Sequence, residues 1–238
     1  MVFLYNEIIV RPLTNLLFFI YHTAAFSDAG IAIILFTIVV RLAIFPIFHK
    51  NMRYQMVLSK LQPEMAKIQK EHKDDKEAQV KAMMHLYERH KINPFSGFLF
   101  IIVQVVLLIT LYRISMKAFS SNVQASLYSF IHITLPVHHT FLGLFDVNTP
   151  LIEVALVAAL LQFIQSKFFM PNTAGGEAAQ MMSAMIFVFP LLTLIILVKL
   201  PAVVGLYWIA STVFSIGEYV VTKRIIQSES LETEIKQI

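Results

Sequence analysis

The sequence has no cysteine, one tryptophan and only 7 glycines in 238 residues, and no more than 14% of it is charged. Without cysteine there is no disulfide frame, no thiolate zinc site and no cysteine nucleophile. Few glycines beside 20 phenylalanines disfavour a sheet-and-turn protein and favour apolar helices. A soluble domain carries about 25% charged residues, so 14% charged and 57% hydrophobic point to the bilayer instead. The sequence also lacks G-x-x-x-x-G-K, H-E-x-x-H and G-x-S-x-G, the spacings that cradle phosphates, hold zinc or expose a nucleophilic serine. No enzyme chemistry, cofactor or metal is therefore expected. His132, His138 and His139 cluster without a carboxylate at ligand spacing and read as interfacial residues. The opening residues lack a basic n-region and a small-residue cleavage site, so no signal-peptide pattern is seen.

What is present is a series of apolar runs. Residues 1–26 are apolar but broken by Asn6, Glu7, Arg11 and Asn15, which recur about every four residues near one helix face. They read as an amphipathic helix lying at the outer membrane interface. Ser27-Asp28 caps a first span, 27–48, with Pro46 one turn before its end, where a kink or a helix break is tolerated. Residues 49–93 differ in kind, holding ten of the 19 basic residues, six acidic ones and a 3-4-3 apolar seam of Leu58, Leu61, Met65 and Ile68. Val80, Met83 and Tyr87 form a weaker matching seam, and His72–Lys76 is the turn between them. The segment is expected to be a coiled-coil hairpin. Further spans follow at 94–116, opened by Asn93-Pro94, and at 150–169, 180–199 and 201–222. They are separated by a loop at 117–149, a Gly- and Pro-containing loop at 170–179 and the tight turn Lys199-Leu-Pro201. A polar tail, 223–238, closes the chain. Five spans place the hairpin, the 170–179 loop and the tail on one side. That side holds most Lys and Arg, so it is expected to be cytoplasmic and the N-terminus outside. The expected fold class is an all-α membrane protein of five transmembrane helices, with an N-terminal interfacial helix and a cytoplasmic helical hairpin.

The polar residues inside the spans are the candidate site: Thr37, Arg41, Gln104, Gln162, Gln165, Ser211, Ser215 and Glu218. An arginine at membrane depth costs at least about 2.5–3.5 kcal/mol, so it faces a partner or water. Thr37 and Arg41, four apart, share a helix face, as do Gln162 and Gln165, three apart. Glu218 is the carboxylate at comparable depth to Arg41. Interhelical hydrogen bonding without a cavity is the rival reading for Gln104 and Ser211.

Several stretches together resemble the YidC/Oxa/Alb family of membrane protein insertases. They are Thr-Ile-Val-Val-Arg-Leu-Ala-Ile-Phe-Pro (37–46), Leu-Gln-Pro-Glu-Met-Ala-Lys-Ile-Gln (61–69), Met-Met-His-Leu-Tyr (83–87), Asn-Pro-Phe-Ser-Gly (93–97), Phe-Ile-Gln-Ser-Lys (163–167) and Gly-Leu-Tyr-Trp (205–208). The resemblance implies a five-helix bundle whose hydrophilic groove opens to the cytoplasm and sideways to lipid. Arg41 would match the groove arginine and Thr37 the polar residue one turn away. Gln165 would match the third-span polar residue, and Tyr207 and Trp208 the aromatic end of a fifth-span motif. Glu218 departs from the amide or neutral residue expected there. The implied function is insertion and chaperoning of nascent membrane proteins in the plasma membrane of a bacterium. The implied partners are those substrates, lipid, and the ribosome and Sec translocon, with no specific nucleic acid. A small-solute transporter or channel is the main alternative, although no inverted repeat is seen. A non-catalytic assembly partner of a translocon is the other.

Overall fold

The computed structural model describes residues 2–90, 96–118, 127–131, 138–169 and 177–235. Apart from one short hairpin, its regular structure is helical. The chain opens with α1 (Val2–Tyr5), a π turn (Asn6–Val10) and α2 (Arg11–Thr23) in one continuous run. Pro12 explains the π turn. It has no N–H and its ring crowds the carbonyl four residues back, so the spiral widens and Arg11 N–H reaches Asn6 O. The polar row read from the sequence divides here. Glu7 and Arg11 form an exposed ion pair at 2.8 Å, whereas Asn15 is buried and accepts Tyr128 N–H at 2.6 Å. By length and composition Phe3–Thr23 is also able to cross a membrane.

A helix underlies each stretch read as a span: α3 (Ala29–Ala43), α6 (Ser96–Ala118), α7 (Ile152–Phe169), α8 (Glu177–Leu197) and α9 (Ala202–Ile235). Besides Phe3–Thr23, Ile152–Phe169 and Ala202–Ile226 are long and apolar enough to span a bilayer, while Ala29–Ala43, Ile102–Ile114 and Ala184–Leu197 are apolar but shorter. The first stretch is broken near Pro46, as the proline allows. α3 ends at Ala43, and α4 (Phe45–Glu71) starts beyond a break at Ile44. Pro46 causes this: its ring opposes the carbonyl of Leu42, so it sits in the first turn of the new helix rather than the last turn of the old one. Asn93-Pro94 and the breakers of 170–176 lie outside the described residues. α9 continues through the expected polar tail as far as Ile235.

The structure resolves into two compact units. The first comprises Met1–Ile44, Val103–Gln162 and Pro190–Phe214. Its core joins Leu17, Phe18 and Tyr21 of α2, Ile33 and Phe36 of α3, Leu111 and Ile114 of α6, and Val203 and Val204 of α9. Asp28 caps α3 as expected, accepting Ile31 N–H at 2.8 Å. Its second carboxylate oxygen accepts Leu142 N–H from a hairpin, β1 (Thr140–Phe141) and β2 (Phe145–Asp146). Phe141 lies directly on Gly30, where any Cβ would come within 2.2 Å of its ring. Val147 is fully buried, and its carbonyl accepts Val203 N–H at 2.8 Å, which ties the loop to the start of α9. The segment before α7 is thus partly an ordered cap. The expected turn at 199–201 is present, with Lys199 N–H on Ile196 O and Leu200 N–H on Leu197 O.

The second unit comprises Phe45–Ile102, Phe163–Phe189 and Ser215–Ile238. In it α4 and α5 (Lys76–Arg89) are joined by a turn and contact each other. Asp75 caps α5, accepting the N–H groups of Glu77 and Ala78 at 3.0 and 2.9 Å. Leu61 is buried on α4, as the seam predicts, and on α5 it is Leu86 that is buried. Val80 is 62% exposed. Six residues separate Val80 from Leu86, about 240° around the helix, so both cannot face α4. Tyr219 of α9 touches Phe168 and Phe169 of α7, and Phe187 of α8 touches Phe163.

Candidate functional site

The site is built on α3. Its apolar composition places Arg41 one turn after Thr37 on the same face, and both are buried, Arg41 to 3% exposure. The Thr37 hydroxyl donates back to Ile33 O at 2.7 Å, which satisfies the hydroxyl within its own helix. Arg41 Nη2 donates to Gln104 Oε1 of α6 at 2.9 Å. Gln104 Nε2 in turn donates to the Tyr207 hydroxyl of α9 at 3.2 Å. One amide side chain therefore links three helices. It uses both of its ends, acceptor toward the cation and donor toward the phenol. The Arg41 bond carries charge and belongs to the stronger class.

Trp208 follows Tyr207 on α9, about 100° further round, and so turns to a different neighbour. Its indole N–H donates to Gln162 Oε1 of α7 at 3.0 Å. The backbones of α9 and α7 approach closely nearby, because a Cβ on Gly205 would lie 2.5 Å from Val154 Cγ1. Ser211 is buried one turn beyond Tyr207. Seven of the predicted residues thus lie in the first unit, and five are joined in two hydrogen-bonded sets, Arg41–Gln104–Tyr207 and Gln162–Trp208.

Gln165 and Glu218 belong to the second unit. Gln165 is half-buried beside the buried Ser166, and Glu218 is buried on α9. Ser211, Ser215, Glu218 and Thr222 recur at 4-3-4 spacing and are all buried, a polar seam along one face of an apolar helix. Thr222, absent from the sequence-based set, hydrogen-bonds His49 Nδ1 at 2.9 Å. Its place in the 4-3-4 row was the available signal. Thr110 and Tyr5 were also missed. The Thr110 hydroxyl donates to Val106 O at 2.7 Å, so in the 2.6 Å pair with Tyr5 the phenol is the donor. No spacing rule joins residues 105 positions apart. Among the described residues no three His, Asp, Glu or Cys groups are arranged to hold a metal, and His132 lies outside them.

This arrangement offers hydrogen-bond donors and one buried cation within apolar helices.

The chain is similar to known proteins. The 60Kd inner membrane protein family model matches residues 19–229. Membrane protein insertase YidC 2 of Bacillus anthracis is 31% identical over 226 residues, covering 92% of this chain and 81% of that protein. Membrane protein insertase MisCA of Bacillus subtilis is 28% identical over 220 residues, covering 90% and 77%. Membrane protein insertase YidC of Pelobacter propionicus is 32% identical over 222 residues, but this chain spans only 39% of it. The fold is similar to that of an active YidC insertase crystal structure with its first transmembrane domain resolved. The TM-score is 0.61 at 22% identity, over 92% of this chain and 46% of that one. The family match over most of the chain and the B. anthracis relative decide the assignment: this chain belongs to the 60Kd inner membrane protein family, whose relatives here are membrane protein insertases.

Proposed function

We propose that this chain is a membrane protein insertase and chaperone, working without nucleotide chemistry in the plasma membrane of a bacterium. The observation that carries the reading is the buried Arg41 guanidinium held on Gln104 inside apolar helices. Gln104 orients the cation without cancelling its charge. A polar, often acidic, tail of a nascent membrane protein meets Arg41 and is spared part of the cost of leaving water. The substrate's own apolar helix then moves into lipid, driven by burial of its surface. Thr37, Gln104, Gln162, Tyr207, Trp208 and Ser211 form the polar lining; Gln165 keeps the groove role that the resemblance implies, and Glu218 is kept as a groove residue from the sequence alone.

The five-span arrangement belongs to the same proposal. The N-terminus lies outside with its helix along the outer interface, and the α4–α5 hairpin and the C-terminus lie in the cytoplasm. The exposed lysines of the hairpin, among them Lys60, Lys67, Lys70 and Lys81, suit a docking arm for substrates, the ribosome or the Sec translocon.

The test is insertion of single-span, acidic-tailed substrates into liposomes containing only this protein. The parent chain is expected to insert them and Arg41→Ala to insert them poorly. Equal insertion by both across several such substrates would remove the charge from the mechanism. No insertion by the parent alone would favour an accessory role at a translocon.

A further inference from the structure

At the N-terminal end of α3 the structure exposes large apolar side chains on a rigid support. Phe26 is 91% exposed, and Leu142 and Leu144, flanking Gly143 in the β1–β2 turn, are 59% and 75% exposed. They are brought to one place by Asp28, whose carboxylate caps Ile31 N–H and also accepts Leu142 N–H. Phe26 lies two residues before that aspartate. The hairpin cannot rock freely, because Phe141 packs on Gly30 and against Phe145, at 5.5 Å between ring centres.

The backbone favours outward projection at a cost. Phe26 and Leu142 have φ of 50° and 51°, a region that a side chain with a Cβ seldom occupies. The central residues of the turn, Leu142 and Gly143, both have positive φ, and Leu144 N–H closes it on Phe141 O at 2.8 Å. Strained apolar residues facing water would gain nothing in return. Facing lipid, they gain burial of their side chains.

Length points the same way. α3 has 15 residues and so rises about 22 Å, short of the roughly 30 Å hydrocarbon core. An apolar tip fixed to its first turn extends the hydrophobic surface where the helix stops. Charge does not oppose this. Both Asp28 oxygens accept backbone N–H groups, and Asp146 Oδ1 accepts Asn148 N–H at 2.8 Å.

We propose that Phe26, Leu142 and Leu144 form a membrane-dipping tip, lodged in the lipid leaflet at the N-terminal end of α3. The tip anchors that end against tilt while substrate passes. The proposal rests on the membrane placement given above, and the test separates the two.

The cysteine-free chain permits unique labelling. Single variants L142C, L144C, D146C and L156C carry an environment-sensitive fluorophore in proteoliposomes of zwitterionic and anionic phospholipid. Quenching is measured with nitroxide lipids, shallow or deep, and with aqueous iodide. Leu156 lies on the exposed face of α7 and reports the span itself. The expected result is strong lipid quenching at 156. At 142 and 144, shallow-nitroxide quenching should be several-fold above that at 146, with loss of iodide quenching. Quenching at 156 with iodide access at 142 and 144 overturns the tip alone. Iodide access at 156 overturns the membrane placement with it.

Discussion

Replacing Gln104 by glutamate isolates the charge of Arg41 from its geometry. The carboxylate keeps an acceptor at the position now 2.9 Å from Nη2, and it can still accept from the Tyr207 hydroxyl 3.2 Å away. The adjacent guanidinium favours its ionised form. Packing and bonding are therefore retained while the local charge falls by one. A substrate carboxylate approaching to about 8 Å from the guanidinium gains about 2 kcal/mol at an effective dielectric of about 20, and the new carboxylate cancels most of that. A 1.4 kcal/mol difference is tenfold, so insertion of an acidic-tailed substrate should fall by roughly 10–30-fold. The assay is protease protection of single-span substrates in proteoliposomes, with acidic and neutral tails run in parallel. Gln104→Glu should impair the acidic-tailed substrate selectively, with the thermal midpoint of the protein in detergent close to that of the parent. Equal insertion of both substrates by parent and variant would refute an electrostatic role for Arg41. Equal losses on both would point to damaged structure.

Glu218→Gln should act in the opposite sense. It removes a buried carboxylate from the α9 seam with little change of shape, so insertion of acidic-tailed substrates should rise; no change would show that Glu218 does not offset the attraction. Gly30→Ala should destabilise the first unit, since the added Cβ would lie 2.2 Å from Phe141 Cδ2 and 2.6 Å from its Cβ and Cγ. Overpacking of this kind costs about 1–3 kcal/mol, visible as a lowered thermal midpoint, and adding Phe141→Ala should recover part of it. An unchanged midpoint in Gly30→Ala would refute the tight seat of the hairpin on α3.

Local chemistry was legible in the sequence wherever its cause was local. Asp28 caps α3 because a carboxylate followed by free backbone N–H groups suffices, whatever lies around it. The tight turn at Lys199–Pro201 and the α4–α5 turn follow from breaker and polar residues in the same way. Apolar runs located the helices, and the polar residues within them located the candidate site. The misplacements were of another kind. Val80 is placed on the α5 seam by the sequence, whereas the buried residue there is Leu86, and the break that Pro46 permits falls a turn earlier than the expected end of the span. Each depended on helix phase or on a steric clash one turn away. Spacing puts Asn15 in the polar row of Glu7 and Arg11, but it is buried and accepts Tyr128 N–H, because a π turn and a distant loop decide its surroundings.

The sequence by itself determined that an arginine lies within an apolar helix, that amides and hydroxyls recur on other apolar helices, and that the whole belongs in a membrane. Those statements need only composition and the 3.6-residue period. Only the tertiary structure decided that Arg41 reaches Gln104, that Gln104 passes the contact to Tyr207, and that Trp208 turns instead to Gln162. Such pairings join residues 46 to 103 positions apart. They depend on how each helix is rotated about its own axis when the cores pack. Side-chain volumes and close approaches such as Gly205 on Val154 set that rotation, and no local pattern encodes it.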